Sequence, residues 1–425
     1  MKIDINGAFL NSQLDELVYL ILDKKTTEIA VSIMPELKKF VHYGCLYVLV
    51  KKALYGLIQA AKLWYQTIRA VLIKAGFDEI ESCFFKRDEV LIVLYVDDLL
   101  ILGKNDATFD EIKQILISEF QEIAVEETDV LNYLGINVSF KEGNIVLSMS
   151  GYIESLLKDK NVETSTVPAG KNIFTIDKKS RKIADKEKFH TVVAKLLYLS
   201  KRVRPDIMLA VSFLCTRVNC PTEEDVGKLE KVLGYLRLTK DKSLVISGDV
   251  SRDPKVEIFV DASFSTHEDG KGHTGCVIML NGSMVYAQSR KQKICTKDST
   301  EAEIVALSDS LVVIETMDRM IGKLFGGIQI APTVYQDNQS AIKLVGESVG
   351  KPRTKHLTAR LACVKEAAKD WKTVFIETVK MIADVLTKAK EKKGFHTMIG
   401  EIMVGRANKI DTALEELEAK LIRNE

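Results

Sequence analysis

Tyr95-Val96-Asp97-Asp98 stands between two apolar runs, Val90-Leu91-Ile92-Val93-Leu94 before it and Leu99-Leu100-Ile101-Leu102 after it. Two such runs around a two-residue connection read as a β-hairpin with adjacent carboxylates at its tip. Those carboxylates repel each other and lose hydration there, so they need a compensating cation, for which magnesium is the natural candidate. The turn also breaks a local rule, because its first central position favours Gly, Asn or Asp and is occupied by β-branched Val96. Violations of this kind mark functional sites. The plain alternative is a hairpin with a solvated acidic tip. Against it, the apolar flanks would bury both arms and leave the acidic pair as the only charge between them.

The surrounding chain has 425 residues, too many for one compact core, and is expected to form two or three domains. Hydrophobic residues at 46% and charged residues at 28% suit a soluble globular protein, and a net charge of +1 gives no global attraction to nucleic acid, so such binding must be local. Seven scattered cysteines, none in a C-x-x-C pair, build neither a disulfide framework nor a zinc site and fit a reducing intracellular compartment. No apolar stretch reaches the roughly 20 residues of a membrane span, and Lys2 and Asp4 break any signal-peptide pattern. Met1-Lys2-Ile3-Asp4-Ile5 enters directly as a strand, which suggests a missing segment upstream.

Working outward, the first 160 residues interleave short apolar runs with helical stretches: a strand near Lys2 to Ile5, a helix from Gln59 to Ala75, the hairpin, and a helix from Thr108 to Glu119. This predicts an α+β sheet with helices on one face. Residues 171–188, with seven Lys or Arg and three Asp or Glu, read as an exposed connector. From Phe189 to Leu238 the spacing is helical. Beyond Pro254, strands are expected at 255–261, 273–280, 284–289, 333–336 and 373–379, with a helix opening near Thr300 and a final helix from Asp384. That order predicts a mixed α/β sheet with flanking helices, and Asp411 to Asn424 reads as an exposed amphipathic helix.

Four acids fall at the ends of these downstream elements: Asp261, Glu303, Asp337 and Asp384. Brought together, they would need divalent metal to be stable. Each also has a structural reading: Glu303 in a capping box with Thr300, Asp384 as an N-cap, Asp337 opening a turn with Asn338, and Asp261 ending a strand.

The wording around these acids resembles a known family. Val260-Asp261-Ala262-Ser263, Ser299-Thr300-Glu301-Ala302-Glu303, Tyr335-Gln336-Asp337-Asn338-Gln339-Ser340-Ala341 and Ala383-Asp384-Val385-Leu386-Thr387-Lys388 are similar, in order, to the ribonuclease H segment of copia-type (Pseudoviridae-like) LTR retrotransposon polyproteins. Upstream, Asp4-Ile5-Asn6-Gly7-Ala8-Phe9-Leu10 and Tyr95-Val96-Asp97-Asp98 resemble the reverse transcriptase palm strands of the same elements. Lys52-Ala53-Leu54-Tyr55-Gly56-Leu57-Ile58-Gln59-Ala60 with Leu63-Trp64-Tyr65 resembles the segment under nucleotide and template, and Leu134-Gly135-Ile136 the start of the primer-gripping hairpin. Arg204-Pro205-Asp206-Ile207 with Ala210-Val211 resembles the helical region downstream, so the likeness runs from residue 2 to about 390.

The resemblance implies a palm over 1–165, a linker and helical thumb or connection over 166–250, a ribonuclease H-like domain over 251–390 and a helical tail over 391–425. It implies RNA-directed DNA polymerisation at Asp4, Asp97 and Asp98, and hydrolysis of RNA paired to DNA at Asp261, Glu303, Asp337 and Asp384. Each set would hold two Mg2+ ions, with Mn2+ as a substitute. Phe9, Tyr55, Gly56 and Gln59 would bind the deoxynucleoside triphosphate, Phe9 facing the sugar or else merely packing in the core. Leu134 and Gly135 would meet the primer, and Lys351, Arg353, Lys355 and His356 the phosphate backbone, unless that stretch is a solvated basic loop. Partners would be RNA template, DNA primer and RNA–DNA hybrid, without a membrane; the parent element would keep the protein in a cytoplasmic virus-like particle.

The chain departs from the family pattern at Ile58 and Ala61, where Lys and Pro are expected, at Thr358 in place of Asp, and at Leu361-Ala362 in place of an aromatic-His pair. Only three residues precede Asp4, which implies a truncation at the first palm motif, without fingers, and weak or no polymerisation. The competing readings are a catalytically silent remnant that binds nucleic acid or protein, and a nuclease active only in its C-terminal domain.

Overall fold

The computed structural model describes residues 1–104, 106–158, 160–247, 254–346 and 357–405. The chain divides into two compact units, Met1–Tyr133 and Leu134 onward.

The first unit runs β1 (Lys2–Ile5), β2 (Gln13–Leu22), α1 (Lys24–Ile33), β3 (Val41–His42), β4 (Cys45–Lys52), α2 (Ala60–Lys74), β5 (Asp78–Glu81), β6 (Phe84–Arg87), β7 (Val90–Tyr95), β8 (Asp98–Leu102), α3 (Asp106–Phe120), β9 (Ile123–Glu126) and β10 (Val130–Tyr133). Its main sheet is antiparallel in the order β5-β6-β7-β8-β1-β9. The period-2 pattern explains the strand: Val90, Ile92 and Leu94 are buried on β7 while Tyr95 is exposed. Helices α2 and α3 bury Trp64, Ile68, Val71 and Leu72, and Ile112, Leu116 and Phe120, in one core with Ile3, Ile5, Ile92 and Leu99. Each such side chain stabilises the unit by about 1.5–3 kcal/mol. Strands β2, β4 and β3 form a separate ribbon that exposes Leu17, Tyr19, Ile21 and Tyr47.

The second unit opens with the hairpin β11 (Ile136–Lys141) and β12 (Asn144–Ser148), followed by α4 (Ser150–Leu157), α5 (Lys186–Arg202), α6 (Met208–Cys215), α7 (Glu223–Leu238) and β13 (Leu244–Ile246). Then come β14 (Val256–Ser263), β15 (Lys271–Leu280), β16 (Ser283–Cys295), α8 (Ser299–Leu324), β17 (Thr333–Gln336), α9 (Gln339–Gly346), α10 (Thr358–Ala367), β18 (Lys372–Phe375) and α11 (Lys392–Val404). The last five strands form a mixed sheet in the order β16-β15-β14-β17-β18, antiparallel on the β16 side and parallel on the β18 side. Strand β14 is an unbroken buried run because both faces are covered: Ile258 and Val260 pack with Ala302, Ala306 and Leu307 of α8, and Phe259 packs with the core built from α5, α6 and α7. In that helical core, Arg204 and Asp206 pair at 2.8 Å with no exposed side-chain surface, and the Tyr235 hydroxyl donates to Asp206 at 2.8 Å. The arginine motif is thus a buried staple, with Arg204 also donating to the Thr239 carbonyl.

Several expectations change. The connector at 171–188 is not uniformly exposed: Ile173 and Phe174 are buried in the helical core, since its charges lie between apolar anchors. Asp384 does not cap a helix. It sits inside a short 3-10 turn, Ile382–Leu386, and the helix begins later at Lys392. The long helix is capped by Asp298, whose side chain accepts from the Glu301 amide at 2.9 Å, so Thr300 and Glu303 do not form its capping box. The strand expected at 373–379 ends at Phe375. The helix expected at Asp411 to Asn424 lies outside the described residues. No described helix is long and apolar enough to cross a membrane.

Candidate metal centres

In the first unit, Asp4 on β1 lies opposite Asp98 on β8, and Asp97 is the second residue of the turn that joins β7 to β8. One carboxylate oxygen from each of the three lies within 4.8 Å of the others. The turn holds Val96 at φ 55°, the left-handed conformation a β-branched residue disfavours. It is pinned from below, because the Trp64 indole donates to the Val96 carbonyl. The Ile5 amide donates to the Asp97 carbonyl at 3.0 Å, fixing β1 against the tip. Lys2 places its ammonium 3.1 Å from Asp98. Partial burial and the charges of Asp97 and Asp98 push the Asp4 carboxyl above its ordinary range, against the pull of Lys2.

Tyr55 reaches over this tip, its hydroxyl 3.4 Å from an Asp97 oxygen and its ring centroid 4.4 Å from that of Phe9. Partial burial and Asp97 raise the Tyr55 phenol. Phe9 is buried, Gly56 is exposed at φ 98°, and Gln59 immediately precedes α2. Leu134 and Gly135 belong to the second unit, where the Leu134 carbonyl accepts from the Tyr198 hydroxyl at 2.6 Å.

In the second unit, Asp261 on β14, Glu303 on α8 and Asp337 at the end of β17 again bring one carboxylate oxygen each within 4.8 Å. Burial, then the neighbouring acids, raise Glu303 well above its ordinary value. Burial raises Asp261 to about 7 despite the opposing charge of Lys388. Gln336 donates to Glu303 at 3.2 Å, Thr378 donates to Asp337 at 2.9 Å, and Thr387 donates to Asp261. Asp384 joins through a lysine: the Lys388 ammonium lies 2.6 Å from Asp384 and 3.4 Å from Asp261. Lys390 also pairs with Asp384. Burial alone would raise Asp384, but these two lysines hold it below the usual carboxylate value.

Both clusters offer only carboxylate oxygens, the donor set of hard divalent cations. Gln336, Thr387 and Lys388 stand in the quoted motifs without a role assigned to them, and Lys390 and Thr378 were not named. The spacing of Asp384 and Lys388, four residues apart, was the available signal. Lys351, Arg353, Lys355 and His356 lie outside the described residues.

An antiparallel sheet with a hairpin-borne aspartate pair, followed by a helical region and a mixed sheet under a long helix, resembles the folds of reverse transcriptase palm and thumb and of ribonuclease H. It resembles the foamy viral protease-reverse transcriptase solved with an RNA/DNA hybrid, with a TM-score of 0.54 at 12% identity over 89% of this chain and 44% of that one. The dRH form of the foamy viral protease-reverse transcriptase, solved with double-stranded DNA, gives a TM-score of 0.53 at 13% identity, over 89% of this chain and 56% of that one.

In sequence, residues 1–171 match the family described as reverse transcriptase (RNA-dependent DNA polymerase). The retrovirus-related Pol polyprotein from transposon RE1 of Arabidopsis thaliana is 27% identical over 423 residues, 95% of this chain and 27% of the polyprotein. That from transposon TNT 1-94 of Nicotiana tabacum is 28% identical over 93% of this chain and 30% of its own length. The chain is thus similar over nearly its whole length to copia-type, retrovirus-related Pol polyproteins, and over residues 1–171 to the reverse transcriptase family. It spans about a quarter of the length of these curated relatives (27% of the RE1 polyprotein).

Proposed function

We propose that the chain acts as an RNA-directed DNA polymerase at Asp4, Asp97 and Asp98, and as a ribonuclease H at Asp261, Glu303, Asp337 and Asp384, as part of a retrotransposon polyprotein. The observation that carries this reading is the gathering of acids far apart in sequence into two all-oxygen clusters. In it, residues 1–165 are the palm, 166–250 the helical thumb or connection, 251–390 the ribonuclease H-like domain and 391–425 a tail.

Two Mg2+ ions per cluster, or Mn2+ in their place, would supply Lewis acidity that activates the attacking hydroxyl or water and offsets charge on the leaving group. The protein's own residues set the geometry. In the first cluster, backbone pairing of Asp4 with Asp98 holds two donors face to face, and the Trp64 bond fixes the strained turn that presents Asp97. Tyr55, backed by the ring of Phe9, lays an aromatic surface beside Asp97 where a deoxynucleotide sugar would rest. Gly56 and Gln59 lie next to it in the chain, at the start of α2.

In the second cluster, Gln336 orients Glu303 and Thr387 orients Asp261, so that their oxygens are held towards one another. Recognition of the RNA strand would rest on its 2′-hydroxyls. Leu134 and Gly135 are assigned to the primer, and Lys351, Arg353, Lys355 and His356 to backbone phosphate. RNA template, DNA primer, RNA–DNA hybrid and deoxynucleoside triphosphates are the partners in this scheme.

The full chain should be assayed with magnesium for cleavage of labelled RNA in an RNA–DNA hybrid and for primer extension on an RNA template. Cleavage is expected to vanish in Asp337→Asn and persist in Asp97→Asn, and any extension is expected to show the reverse. Absence of both metal-dependent activities would overturn the proposal.

A further inference from the structure

The turn that carries Asp384 rests on a row of three residues across the sheet. Asp261 on β14 pairs with Gly275 on β15, and Gly275 pairs with Ser289 on β16. Directly paired residues on neighbouring strands face the same side, so Asp261 and Ser289 flank a position that has no side chain. A Cβ at Gly275 would stand 2.8 Å from the Ala383 carbonyl oxygen, 2.8 Å from the Thr387 methyl and 3.1 Å from the Leu386 Cβ. Glycine therefore lets the Ile382–Leu386 turn settle on the strand. The turn is held on both sides of that point: Thr387 donates to Asp261, and the Ser289 hydroxyl donates to the Leu386 carbonyl at 2.7 Å.

Behind Ser289 runs a buried chain of rings. His273 Nε2 lies 2.8 Å from Ser289 Oγ, and His273 Nδ1 lies 3.0 Å from His267 Nε2. Since the Ser289 proton goes to a carbonyl, its oxygen must accept from His273 Nε2–H. That leaves His273 Nδ1 bare, to accept from His267 Nε2–H, so every donor in the chain points towards Leu386. Burial holds His273 well below the ordinary imidazole value, which keeps it in the neutral form this order requires. Phe174, from the segment leading into the helical region, packs on both rings at centroid distances of 4.8 Å and 5.2 Å.

We propose that Gly275, Ser289 and His273 are positioning residues for Asp384: the one-way donor chain from His267, closed over by Phe174, fixes the turn and thereby the affinity of the downstream acids for divalent metal. The inference rests on reading that cluster as a metal centre. It ties the connector to the hydrolytic site through side chains that touch no substrate.

Mn2+ alone is the probe, titrated into the full chain carrying Asp97→Asn to weaken the upstream cluster, with free ion followed by electron paramagnetic resonance. Asp384→Asn should weaken binding, Ser289→Ala should weaken it about tenfold, and Ser289→Thr, which keeps the hydroxyl, should restore it. Nitrogen-15 spectra of the histidine rings should show His267 and His273 neutral and protonated on Nε2. If Asp384→Asn weakens binding and a folded Ser289→Ala does not, or if His273 carries its proton on Nδ1, the positioning chain is refuted while the metal centre stands. If Asp384→Asn leaves binding unchanged, the metal-centre reading at that residue fails and takes the chain with it.

Discussion

In the first unit, three half-buried aspartates occupy facing positions on adjoining strands and the turn between them; in the second, Asp261 on a strand and Glu303 on a helix are 0% and 4% exposed, Asp337 at a strand end is half-buried, and Asp384, joined to them through Lys388, is 0% exposed. Like charges near water repel weakly, whereas the same charges in a dry interior repel strongly. The upstream cluster accordingly has one lysine at its edge, Lys2. The downstream cluster is bound up with Lys388, Lys390, Thr387 and Gln336, and burial has moved Asp261 to about 7. Shared donor chemistry thus does not mean a shared link to stability. The second cluster is coupled to folding more strongly than the first, where burial and the neighbouring charges raise Asp4.

The sharpest way to break this contrast is to neutralise one acid in each cluster. Asp261→Asn is expected to lower hybrid cleavage by several kcal/mol of barrier, about a thousandfold, while raising the metal-free melting temperature of its unit. Asp97→Asn is expected to change stability by no more than about 0.5 kcal/mol. Equal melting shifts, read by calorimetry, would remove the distinction.

The next effect is on pH. Asp261 rises from 3.8 to about 7 in the metal-free fold, so its contribution to stability is complete below about pH 4 and is lost as pH climbs through about 7. Asp384 has the opposite sign: held down by Lys388 and Lys390 against burial, it adds stability above the ordinary carboxylate range and loses it on acidification through its lowered value. Divalent metal bound at the cluster would take the place of the Asp261 proton. Magnesium should therefore raise the melting temperature more at about pH 8 than at about pH 5, by a few degrees. Asp261→Asn should abolish the difference, and Asp97→Asn should keep it.

Smaller still, Lys388→Met should destabilise the metal-free protein by roughly 1–3 kcal/mol, below the value for a fully buried pair because the lysine is 40% exposed. Lys2→Met should cost less than about 1 kcal/mol. Denaturant titration of both variants sets the order, and a reversal would show that the upstream cluster is the more tightly coupled one. Least of all, Val96→Asn should gain up to about 1 kcal/mol by easing the positive φ, partly offset by lost packing.

The hairpin, β1 and the strands after Pro254 were legible in the sequence because alternating or continuous apolar runs leave little freedom in which face is buried. The strained turn was legible too, since Val96 stands where a glycine or asparagine belongs. The caps were not. Asp298, Thr300 and Asp384 all carry the side-chain oxygen of an N-cap, and tertiary contacts decide which one opens a helix: Asp298 does, whereas Asp384 is drawn into a 3-10 turn by its seat on Gly275. The charges of the connector likewise concealed Phe174, whose burial depends on rings almost a hundred residues away. Lys388 and Lys390 were given no role, because charge says nothing about which acid the chain brings near.

The Trp64 indole under the Val96-Asp97 turn makes an optical probe of that turn. The protein has two tryptophans, Trp64 and Trp371, one in each compact unit. With Trp371→Phe, emission would come from the ring bonded to the Val96 carbonyl alone, so a colour shift on adding metal or nucleotide would report the motion of Asp97 without any label.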